Sequence, residues 1–188
     1  MMPPRSRAAA SQPLPIAAQL RRAAGAPLFM VVDAARDAAV LPALAALEQL
    51  VEIACLWQGE AAVSLADVAP YLLAVPPGGQ ADGFVASAWG SAWGIFAATD
   101  VPMARLRRHL RRFTLVRVAG GEVMNFRLYD PRVLRDFLPA CDAAQRGALF
   151  RDIGAFLAED ATGDSIRRYR ATAEGGLRMD EILAAGQS

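Results

Sequence analysis

The chain has 188 residues, enough to bury a sizeable core without disulfide or metal staples. Its formal net charge of +1 excludes bulk polyelectrolyte behaviour, and all 20 of its basic residues are arginine. Its two cysteines, Cys55 and Cys141, stand far apart and lack metal-ligand spacing, so they read as free thiols of a reducing, cytoplasmic compartment.

Residues 1–26 are rich in Pro, Ala and Arg and read as a disordered tail. Ser11, Gln12, Pro13, Pro15 and Gln19 break any signal-peptide core, and no run of about 18 apolar residues follows, so neither a leader nor a membrane span is expected. Residues 28–32 form a continuous apolar run, a buried strand closed by Asp33. The next segment reads as a helix with Leu41, Leu44, Ala45 and Leu47 on one face and Pro42 in its first turn. "IACLWQGE" is a short strand turning at Gly59, and "DVAPYLLAVP" is a second one, entered through Pro70. A short helix ends near Gly90, and a strand follows over 93–98.

Thr99 or Asp100 then caps a helix over 102–113, with Pro102 in its first turn. Met103, Leu106, Leu110 and Phe113 make its apolar stripe. Arg105, Arg107, Arg108, Arg111 and Arg112 occupy the rest, and His109 reads as a helix-surface residue. A hairpin flanks Gly120-Gly121. In its second run Met124, Phe126 and Leu128 point one way, and Val123, Asn125, Arg127 and Tyr129 the other. That run enters a helix almost without a loop, with Asp130 as N-cap and Pro131 at the first helical position. Val133, Leu134, Phe137 and Leu138 form its buried stripe, ending at Pro139.

Residues 141–160 look helical, with Leu149, Phe150, Ile153, Phe156 and Leu157 as the apolar face. The alternative over 156–171 is a last hairpin turning at "DATGD". Residues 171–188 read as a tail with a short amphipathic helix. The whole predicts an α/β fold: one domain over 27–170, in one or two lobes. Its mixed sheet with hairpins is flanked by short amphipathic helices.

Catalytic signals are nearly absent. There is no Gly-x-Ser-x-Gly, no phosphate-cradling loop and no His/Cys metal cluster, so no catalytic, cofactor or metal residues are assigned. The arginine-rich helix suits phosphates, an acidic protein groove or plain water. Arg132 lies in a first helical turn, where its charge opposes the helix dipole. It and Arg127 therefore call for carboxylate partners, within the domain or across an interface.

Five pieces occur in order: "FMVVDAARD", "CLWQG", "VAPYLLAV", "WGIFAATDVPMARLRRHLRRF" and "VMNFRLYDPRVLRDFLP". Together they resemble a family of bacterial adaptor chaperones of the type VI secretion system, first catalogued as a domain of unknown function. The family's signature corresponds here to Phe126, Arg127, Tyr129, Asp130, Pro131 and Arg132. Asp33-Ala34 stands where an Asp-Gly or Asp-Ala turn is usual, and Trp57 where tyrosine is more usual. The resemblance implies a non-enzymatic cytoplasmic adaptor that binds a cognate toxic effector and helps load it onto the secretion spike protein. It implies no cofactor, nucleic acid or membrane. Arg105, Arg108 and Arg112 are the candidate docking residues, because the helix arginines have no evident intrachain partner in the sequence. Two other classes stay open: an enzyme with a cryptic site, and a nucleic-acid module using the helix over 102–113.

Overall fold

A computed structural model describes residues 14–117 and 120–184. Seven of its strands are β1 (Leu28–Asp33), β2 (Ile53–Cys55), β3 (Pro70–Ala74), β4 (Gly94–Ala98), β7 (Ala155–Glu159), β8 (Ser165–Ala171) and β9 (Leu177–Leu183). They form one sheet in the order β2-β3-β1-β4-β7-β8-β9, and every ladder is antiparallel. A separate two-stranded sheet joins β5 (Leu115–Arg117) to β6 (Val123–Asn125).

Helices cover both faces of the large sheet, which is why its inner strands read as unbroken apolar runs. All six residues of β1 are buried. Met30 and Val32 enter one core, and Phe29 and Val31 enter the other. The first core is closed by α1 (Ile16–Ala24), α2 (Val40–Leu47) and α4 (Ala81–Ala88). The second is closed by α5 (Met103–Arg111), α6 (Pro131–Ala140) and α7 (Ala143–Leu149). A short helix, α3 (Glu60–Ser64), bridges β2 to β3. The α/β class with flanking short helices is observed, and among the described residues no helix is long and apolar enough to cross a membrane.

Three expectations are corrected. The segment read as a disordered tail contains α1, whose Ile16, Ala17, Leu20 and Ala23 are buried in the first core. Small alanines let it lie close to the sheet, Gly25 closes it in the left-handed conformation, and Arg21 clamps Asp82 of α4 with bonds of 2.6 and 2.8 Å. Residues 1–13 and 185–188 of the expected tails lie outside the described residues. In the stretch read as helical to residue 160, α7 stops at Leu149 and β7 follows. Ile153, Phe156 and Leu157 mimic helical spacing, but Ala155 and Leu157 fill one core while Phe156 and Ala158 fill the other. The hairpin at "DATGD" is the alternative that the fold adopts. Finally, the expected C-terminal helix is β9, paired with β8 over seven residues.

The strand-to-helix junction also differs from its reading. Strand β6 ends at Asn125, and the chain turns over 126–129, with the Asp130 N–H donating to the Arg127 carbonyl at 2.9 Å. The turn breaks the alternation, so neighbouring Leu128 and Tyr129 are both buried. The second Trp-Gly pair has a packing reason: a Cβ on Gly94 would stand 2.0 Å from the Val31 carbonyl oxygen. The first pair lies in a turn tied down by Glu159, whose carboxylate accepts from the Gly90 and Ala92 N–H groups at 2.5 and 2.7 Å.

Candidate functional site

The signature begins where Phe126 leaves the hairpin. Its ring packs edge-on against Phe137 of α6, with centroids 4.7 Å apart. Asp130 is the N-cap of α6, accepting from the Arg132 N–H at 2.9 Å, and Pro131 follows at the first helical position. The Arg132 guanidinium folds back onto the same carboxylate through bonds of 2.9 and 2.5 Å. A cation at a helix N-terminus is thereby offset by the cap beside it. Burial alone would push the Asp130 carboxyl up. The hydrogen bonds from Arg132, with the charges of Arg132 and Arg127, outweigh that and hold it below the usual carboxylate range.

Arg127 finds its partner 94 positions away in sequence: its Nη2 donates to Oδ2 of Asp33 at the end of β1. The other Asp33 oxygen accepts from the Ala35 N–H at 3.0 Å and so caps the short turn after β1. Asp33 thus joins two of the ordered sequence pieces, "FMVVDAARD" and "VMNFRLYDPRVLRDFLP". Tyr129 is buried beside these charges. Burial, with Asp33 and Asp130 nearby, pushes its phenol up to about 12. The signature residues therefore come together as an internally satisfied junction that fixes β1, the hairpin and α6 relative to one another.

Helix α5 presents the second candidate surface. Its N-cap is Pro102, without a side-chain cap, rather than Thr99 or Asp100. The Thr99 hydroxyl instead accepts from the Val101 N–H and donates to the Asp152 carbonyl. Two of the five arginines have intrachain partners that the sequence does not reveal. Arg105 pairs with Asp152 at 2.6 Å, and Arg107 Nε donates to the Cys55 carbonyl at 2.7 Å. Arg108 and Arg112 are exposed, and Arg111 is half-buried. Among the described residues these three guanidinium groups have no hydrogen-bond or ion-pair partner.

His109 is a correction. It is buried, not a helix-surface residue, and its Nε2–H donates to the Leu149 carbonyl at 2.7 Å. Its ring packs edge-on against Phe113, and its Nδ1 lies 3.7 Å from Asp152 Oδ2. Both Cys55 and Cys141 are free thiols, and burial pushes the Cys141 thiol up. Among the described residues, no cluster of three or more His, Cys, Asp or Glu side chains is placed to hold a metal ion.

A family model described as "Domain of unknown function (DUF4123)" matches residues 28–148. No curated relative and no solved structure matches the chain.

Proposed function

The chain belongs to the DUF4123 family, and from that premise we propose that it is a non-enzymatic adaptor of a type VI secretion system. In this reading it works in the cytoplasm of the producing cell. It binds a cognate toxic effector there and helps load that effector onto the spike protein. The observation that carries the reading is the ordered series of five motifs, all of which fall inside residues 28–148.

The side-chain geometry divides the labour among those motifs. The signature uses its charges internally, which suits a scaffold rather than a grip. Arg108 on α5 and Arg112 at its C-cap face solvent without partners among the described residues, which suits encounter with an acidic polypeptide. Arg105 is withdrawn from the docking set, because Asp152 already holds it.

The test is co-expression with a toxin encoded beside this chain, followed by purification of the complex and a secretion assay. A retained toxin, and toxin secretion that stops when the adaptor is deleted, are the expected results. A toxin neither retained nor dependent on the protein for secretion would reject the adaptor. Within a complex that does form, an Arg108→Glu/Arg112→Glu variant should associate about tenfold more slowly, with a shallower salt dependence. Unchanged association would reject this face of α5 and leave the adaptor standing.

A further inference from the structure

The β5–β6 hairpin carries four large apolar side chains in six paired positions, and all four meet solvent: Leu115, Val116, Val123 and Met124. Leu115 and Val123 share one face with Asn125, and Val116 and Met124 share the other. Two strands with apolar residues open on both faces are marginal alone and present surface that a partner can cover.

Beside the first face, between the hairpin and α3, lies an open cleft of about 250 Å³. Trp57, Leu65 and Leu115 wall it, and the amide-bearing residues Gln58 and Asn125 complete its lining. Among the described residues Arg111 is the only charged one in its lining, and its guanidinium has no partner among them. The volume falls below the roughly 300–1,000 Å³ usual for small-molecule sites. It suits one or two large side chains anchored from a polypeptide.

We infer that this cleft is a docking site for a polypeptide segment that places a large apolar side chain between Trp57, Leu65 and Leu115 and a carboxylate on Arg111. Charge decides the occupant. Arg108 lies one helical turn before Arg111 on the same face of α5, so positive charge adjoins the cleft and favours Asp- or Glu-bearing chains. A second copy related by a two-fold axis would bring two such arginine faces together, which like-charge repulsion opposes. Gln58 and Asn125 in the lining supply amides that can bond the segment's backbone. The inference rests on the adaptor reading only for the identity of the protein that carries the segment.

The test needs neither toxin nor spike. Random peptides of about twelve residues, displayed on phage, are panned against the full chain, and enriched sequences are synthesised with a fluorophore for anisotropy. Enriched peptides should pair a large apolar residue with a nearby Asp or Glu, and binding should shift the fluorescence of Trp57. Leu115→Ser and Arg111→Glu should each weaken binding by at least about tenfold. A Lys replacing the peptide's acidic residue should recover affinity for Arg111→Glu. Val63→Ser, at an exposed position outside the cleft, should bind as wild type. Thermal melts of each variant establish that it is folded.

Failure to enrich any peptide, enrichment of peptides without carboxylates, or equal binding by the cleft variants would overturn the proposal. So would a dimer in sedimentation velocity that Leu115→Ser dissolves. Sedimentation with phosphatidylcholine–phosphatidylglycerol vesicles, lost in Leu115→Ser, would assign the surface to a membrane instead. Because the peptide assay contains no secretion component, the cleft and the adaptor reading can fail separately.

Discussion

Arg127 and Arg132 sit five positions apart in one signature, yet the fold uses them differently. Arg132 lies over a cap that also holds a backbone N–H, and its own side chain is half exposed. Arg127 is the counterion of Asp33, whose side chain is only 2% exposed. Removing Arg127 leaves the buried Asp33 carboxylate with the Ala35 N–H but no ion-pair partner, whereas removing Arg132 leaves Asp130 capping α6 with the charge of Arg127 still nearby. Arg127→Ala should therefore cost about 1–3 kcal/mol in urea unfolding. Arg132→Ala should cost less than about 1 kcal/mol. Equal losses, or the reverse order, would sink this assignment. The Asp130 cap was legible in the sequence because capping is a matter of adjacent residues. The Arg127 partner was not, since nothing in local spacing points from residue 127 to residue 33. His109 was misread for a related reason: a periodicity argument places it beside the apolar stripe but cannot supply the Leu149 carbonyl that satisfies it.

Strands β1 and β4, buried on both faces, were legible as apolar runs, whereas β7, equally buried, passes for the end of a helix and the edge strand β9 for a tail. Strand β9 alternates weakly, with only half-buried positions on its inner side, so its sequence resembles a loose tail. What holds it is the ladder to β8 and a charge cluster across it. Asp180 accepts from Arg168 at 2.9 and 3.1 Å, from Arg170 at 2.8 Å and from Arg178 at 3.1 Å. Arg168 also donates to the Ala23 carbonyl at 2.8 Å, tying β8 to the end of α1. The hydrogen bond from Arg168, with those from Arg178 and Arg170, holds the Asp180 carboxyl at about 2, against an ordinary value of 3.8. A carboxyl lowered by folding stabilises the native state fully above its unfolded value. That contribution is lost as pH falls from about 4 towards 2. Asp180→Asn should thus melt below wild type at pH 6, and the gap should close across that acid window. A gap that is constant with pH would show that the carboxylate's charge contributes nothing to the pairing of β9.

At the scale of the whole molecule, the described fold is larger than the family match. Residues 28–148 include β1 through β4 and most of the helices, but the sheet continues through β7, β8 and β9, and α1 precedes the match. Strand β4 takes β7 as its outer neighbour, so the core needs residues on both sides of the matched range. The α/β class was legible because apolar runs and capping signals are local. The chain ends were not, because Pro, Ala and Arg composition hides a helix whose stability comes from what it covers. Helix α1 covers the first core with Ile16 and Leu20, each worth about 1.5–3 kcal/mol when fully buried. Their combined loss, about 3–6 kcal/mol, reaches the lower end of the roughly 5–15 kcal/mol by which typical domains are stable. A chain starting at Ala26 should therefore bind a hydrophobic dye and lose its cooperative melt. Arg21→Ala in the full chain should remove only the clamp on Asp82 and the bond to the Pro76 carbonyl, at about 1 kcal/mol, because the apolar face stays in place. If the shortened chain melted cooperatively at the wild-type temperature, α1 would be an ornament on a core that closes without it.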